Sequence, residues 1–190
     1  MIQRNPQENE DGSISIEAGF YFAIYALIVS LFIDYATSFM AKSKLERVSA
    51  SALSILRERT YFYNESIDVS RIDADEISAT ISKMLKNVPH ATLVLFAKNE
   101  SNGFLTKSYF IGNEDIKKKC SVIKDYRLDA DIFNKLSPVF KDSSGSEKQY
   151  PLYSIVICQP GNKSLFKTMS NFIGEPNTVE NIVRNIAIYR

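Results

Sequence analysis

Residues 12–41 read GSISIEAGFYFAIYALIVSLFIDYATSFMA, and residues 18–33 within them carry no charge. As one helix, residues 18–41 would be about 36 Å long at about 1.5 Å per residue. That is enough to cross a hydrocarbon core of about 30 Å. A helix apolar on every side belongs either in a large core or in lipid. A chain of 190 residues has little room to hide one, so residues 13–41 read as a membrane span. Before it stands MIQRNPQENEDG, residues 1–12, with Glu8, Glu10 and Asp11 against Arg4. This is too acidic for the basic start of an ordinary secretory signal, and nothing in residues 41–48, AKSKLERV, invites ordinary signal cleavage. The expected organisation is a leader over residues 1–12, a transmembrane helix over 13–41 and a domain over 42–190.

No proline separates Pro6 from Pro89, and AKSKLERVSASALSILRERT, residues 41–60, places Leu45, Val48, Ala52 and Ile55 at steps of three and four. That spacing predicts an amphipathic helix continuous with the span to about residue 60, its apolar stripe facing the domain. Next, Asp73 with Glu76 three residues on reads as an N-cap, followed by Ile77, Ile81, Met84 and Leu85, and predicts a second helix over about 74–87. Short β-prone runs follow at 91–97, 104–111, 121–126, 150–158 and 182–189, separated by Gly, Asn, Ser and Pro. The polar stretch KDSSGSEKQ, residues 141–149, reads as an exposed loop. The expected fold class is α+β: a long N-terminal helix, transmembrane and then amphipathic, followed by a small, mostly antiparallel sheet domain.

Composition narrows the function. With 45% hydrophobic and 24% charged residues the chain is globular, and a net charge of +1 gives no footprint for nucleic acid. His90 is the only histidine and no CxxC spacing occurs, so no metal or cofactor site is expected. No phosphate-binding glycine loop, GxSxG or HExxH motif is present, which argues against an enzyme. Cys120 and Cys158 both follow the span. They are either a disulfide formed outside the cytoplasm, closing a loop of about 39 residues worth roughly 4 kcal/mol on the chain-entropy model, or two buried thiols. Lys117, Lys118 and Lys119 read as a solvated patch, and the Asn-x-Ser triplets at 64–66, 99–101 and 162–164 as ordinary surface sequence rather than glycan acceptors.

The junction is more specific. Gly12 is followed by Ser13 and, five positions on, by Glu17. GSISIE resembles the processing site of type IV prepilins, where a membrane peptidase cuts after the glycine and leaves the apolar helix attached. A carboxylate one turn into an apolar helix is costly near lipid and is usually kept for a partner. If Glu17 met the new N-terminal ammonium of a neighbouring subunit at about 4 Å, the attraction would be about 4 kcal/mol at an effective dielectric of 20, before desolvation. The alternative is a first-turn carboxylate in the headgroup layer, favoured there by the helix dipole. Asp34 reads as the far boundary of the span, or else as a second contact with a membrane partner.

Together, GSISIE, the single apolar helix, AKSKLERVSASALSILRERTYFY at residues 41–63 and PLYSIVICQ at residues 151–159 resemble the TadF-like minor pseudopilins of the tight adherence (Tad, Flp) pilus system. The resemblance implies cleavage after Gly12 by the prepilin peptidase, retention in the inner membrane, a periplasmic domain, and a role in pilus assembly and cell adhesion. Its partners would be other pilin-like subunits and the Tad machinery. Lys42, Lys44 and Arg47 just after the span pull the other way, since the positive-inside rule would set the domain in the cytoplasm. Two other readings share parts of the pattern. One is a pseudopilin of a type II secretion system, and the other a single-pass sensor or binding protein in which Glu17 has no special role.

Overall fold

The computed structural model describes residues 7–63, 67–100, 103–141, 145, 147–160 and 181–189. Its first element, α1 (Gln7–Tyr63), is one helix of 57 residues. It begins earlier than the expected start at Ser13, because residues 7–12 contain acids suited to a first turn and no proline to stop it. The described residues fall into two compact units, one with α1 as far as Met40, the other with α1 from Ala41 together with the sheet domain.

In the second unit, α1 buries Leu45, Val48, Ser49, Ala52, Leu53 and Leu56. Ile55 is 44% exposed and Leu56 fully buried, which corrects the stripe read from sequence. At about 100° per residue Leu56 returns to within about 20° of Leu45, whereas Ile55 lies about 80° away.

Helix α2 (Arg71–Met84) starts three residues before the expected Ala74, and its cap is Ser70 rather than Asp73. The Ser70 hydroxyl accepts from the Asp73 N–H at 3.3 Å, and the Asp73 carboxylate accepts from the Ser70 N–H at 2.6 Å. Asp73 is thus the reciprocal member of a capping box. The helix stops where Lys86 and Asn87 take positive φ, and the Asn87 N–H donates back to the Ser82 carbonyl at 2.8 Å.

The main sheet is antiparallel, with β1 (Ala91–Glu100), β2 (Gly103–Gly112), β5 (Leu152–Gln159) and β6 (Asn181–Ile188) in the order β2-β1-β5-β6. The alternation of the two central strands divides the core in two. Val94, Phe96, Tyr153, Ile155 and Ile157 face α1 and α2, while Leu93, Leu95, Leu152, Val156 and Cys158 face the opposite layer. That layer is built from α3 (Glu114–Lys119), a 3-10 helix (Ser121–Asp125) and α4 (Ala130–Leu136). It contributes Cys120, Ile123, Leu128 and Phe133.

Two sequence expectations fail in this layer. Residues 121–126 are not a strand, because Ile123 alone is buried among Ser121–Asp125 and there is no inward alternation to hold a strand on a sheet. The stretch 141–149 is not wholly loop. Val139–Lys141 (β3) pairs with Glu147–Gln149 (β4), residues 142–144 and 146 lying outside the described residues. Phe140 packs on Tyr150 with ring centroids 4.3 Å apart, and the Ser137 hydroxyl donates to the Tyr150 carbonyl at 2.6 Å. These flanking contacts supply what the polar β4 lacks.

Candidate membrane and subunit interface

Residues 16–40 of α1 face outward with their apolar side chains. Phe20, Tyr21 and Phe22 are 67%, 71% and 73% exposed, and as consecutive helix positions about 100° apart they span more than half the circumference. Tyr25, Phe32, Tyr35, Phe39 and Met40 are exposed as well. Among the described residues, α1 between Ile16 and Glu58 is the one helix long and apolar enough to cross a membrane. Two of its hydroxyls bond within the helix, as suits side chains away from water. Ser30 Oγ donates to the Leu27 carbonyl at 2.8 Å, and Thr37 Oγ1 to the Asp34 carbonyl at 2.9 Å.

Glu17 lies on the same surface, exposed, with no ion pair among the described residues. Gly12 and Ser13 lie inside α1, in the stretch whose backbone alone is described. Any cleavage there would require local unwinding. Gly12 eases it, since glycine weakens a helix by about 1 kcal/mol relative to alanine. Asp34 is half-buried.

The remaining residues singled out by sequence lie in the sheet domain and do not converge. Cys120 at the end of α3 and Cys158 in β5 are joined as a disulfide, Cα atoms 6.0 Å apart, both fully buried. His90 Nδ1 lies 2.8 Å from the Val88 carbonyl. Asn99 Nδ2 donates to Gln149 Oε1 at 3.3 Å. Residues 64–66, 101 and 162–164 of the Asn-x-Ser triplets lie outside the described residues. Lys117 pairs with Glu114 at 3.2 Å, and its ammonium stands over the Phe110 ring.

Sequence reading missed two charged arrangements. Asp68 accepts from Lys98 Nζ at 2.6 Å and Lys107 Nζ at 3.1 Å. Arg184 of β6 stacks on Tyr126, 5.4 Å from guanidinium carbon to ring centroid, and donates to the Arg127 carbonyl at 3.2 Å. Both join residues far apart in the chain, Asp68 to β1 and β2 and Arg184 of β6 to the segment after the 3-10 helix, and no local spacing announces them.

The family model TadF, described as "Putative tight adherence pilin protein F", matches residues 5–185. No curated protein and no solved structure matches the chain. With nearly the whole sequence covered, from within the polar N-terminal stretch to the last strand, the chain belongs to the TadF family of tight adherence pilin proteins.

Proposed function

We propose that this chain is a minor pseudopilin in the assembly of a tight adherence pilus, and not an enzyme. A prepilin peptidase cuts it after Gly12, residues 13–41 hold it in the inner membrane, and the domain from residue 42 lies on the periplasmic side. The carrying observation is Glu17, an exposed carboxylate near the start of the exposed apolar stretch of α1, residues 16–40, in a chain of a pilin family. Such a surface is stable only when lipid or other apolar helices cover it. Glu17 then supplies the polar term that apolar packing lacks, a charge seeking the Ser13 ammonium of a neighbouring subunit and so fixing the register between helices. The buried Cys120–Cys158 bond suits an oxidising compartment.

The test is the N-terminus of the protein recovered from membranes, with and without the peptidase. A chain beginning at Ser13 only when the peptidase is present is the expected result. One that still begins at Met1 in its presence would rule out processing. Separately, Glu17→Ala should leave membrane insertion intact and abolish cross-linking to other pilin-like subunits. Undiminished cross-linking would remove Glu17 from the interface.

A further inference from the structure

Within the second unit, a groove of about 550 Å³ runs between α1 and β6, lined by Lys42, Glu46, Arg47 and Ala50 of the helix and by Ile182–Asn185 of the strand. The Asn185 amide donates to the Glu46 carbonyl at 3.4 Å, tying the strand to the helix. Two exposed cations of the helix, Lys42 and Arg47, line this groove with one carboxylate, Glu46; Arg184 borders it from β6, but its register partner Val156 sets its side chain on the face opposite α1. There Arg184 is held by the Tyr126 ring and the Arg127 carbonyl.

We propose that this groove holds the phosphate of an anionic phospholipid headgroup in the membrane that α1 enters. The inference rests on residues 13–41 being the span. Lys42 is the next residue along the same helix and Arg47 is five further, so Arg47 lies within about 9 Å of the end of the span by chain length alone. That is close to one Debye length at physiological salt, the range over which a basic side chain near an anionic surface is effective. Arginine's planar fork matches phosphate, and lysine adds a point charge. On the α1 face of the strand, Val183 with Ala50 of the helix gives the groove an apolar wall suited to the glycerol and upper acyl carbons. The reading also gives Lys42 and Arg47 a role that does not depend on topology signalling. Basic residues after the span then serve the leaflet facing the domain and do not mark the cytoplasmic side.

The experiment uses the full chain in nanodiscs, of phosphatidylcholine alone or with added phosphatidylglycerol, and follows hydrogen exchange at residues 42–50 and 182–185. Phosphatidylglycerol should slow exchange at these segments. Lys42→Gln and Arg47→Gln, both exposed positions, should each weaken the effect roughly fivefold. Glu46→Gln, which removes the opposing charge, should strengthen it. Equal exchange in both lipids, or insensitivity to all three variants, would overturn the proposal, and so would the same protection from soluble glycerol phosphate. Failure of the span itself would show differently, as protein that carbonate washing releases from the membrane.

Discussion

Lys98 of β1 closes on the Asp68 carboxylate at 2.6 Å, joining the sheet to the segment between α1 and α2. Lys107 of β2 reaches the other oxygen at 3.1 Å, and on either side Tyr153 and Tyr109 donate their hydroxyls to the Ile67 and Val69 carbonyls at 2.9 and 3.2 Å. The chain leaving the long helix is thus fastened to the sheet at three consecutive residues. Partial burial pulls the Asp68 carboxyl upward, but the hydrogen bonds and charges of Lys98 and Lys107 outweigh it and hold the group below the ordinary carboxylate value. A depressed folded pKa contributes stability that is fully present above the unfolded value of about 3.9 and is lost as pH falls through the folded one. Asp68→Asn should therefore reduce the dependence of the melting temperature on pH below about 4. At neutral pH its cost should stay within about 1 kcal/mol, because the pairs are partly solvated. An unchanged acid limb in Asp68→Asn would show that the pairs do not couple to folding.

The contrast between Leu56 and Ile55 is a direct test of how α1 sits on the domain. Leu56→Ala should cost about 2–5 kcal/mol by opening a cavity, and Ile55→Ala less than about 1 kcal/mol. Urea unfolding of both variants checks this, and the reverse order would rotate the helix on the sheet. The pair also marks the limit of reading the sequence. The helix itself was legible, because no proline interrupts residues 7–63 and apolar residues recur at steps of three and four. The choice between two adjacent aliphatic residues was not, since it depends on phase accumulated over three turns. The central strands were legible in the same way: residues 91–97 and 152–158 are apolar except for Thr92 and Ser154, as suits strands covered on both faces. The opposite layer was not, because α3, the 3-10 helix and α4 are too short for periodicity and are held by Cys120, Ile123 and Phe133 in the second core. Of the candidate interface, Gly12, Ser13 and Glu17 stand out by their spacing. The groove beside Lys42 and Arg47 does not, because it exists only once β6 lies beside α1.

Gly112 closes β2 at φ +147°, where a side chain is strained whatever the space. A Cβ there would also lie 3.1 Å from the His90 carbonyl oxygen and 3.2 Å from the Ala91 Cα, both backbone atoms of the paired strand and its approach. Gly112→Ala should destabilise the domain by about 1–3 kcal/mol. Gly103→Ala at the other end of the strand meets no atom within 4 Å and carries only the strain of its φ of +124°, so it should cost less. Thermal melts of the two variants check the order.

The Cys120–Cys158 bond joins the end of α3 to a central strand with both cysteines fully buried. A reductant cannot reach these sulfurs in the native state, so reduction must await opening of the second core around Ile123, Phe133 and Val156. Dithiothreitol alone should release the two thiols slowly, and added urea should accelerate the release in step with unfolding. Once reduced, or replaced by alanine at both positions, the domain should lose about 2–4 kcal/mol. Free-thiol titration against urea, compared with a fluorescence unfolding curve, separates the possibilities. Rapid thiol release from folded protein would mean that the α3 layer opens without the rest of the domain. No thiol release even after complete unfolding would be incompatible with a bond protected only by burial.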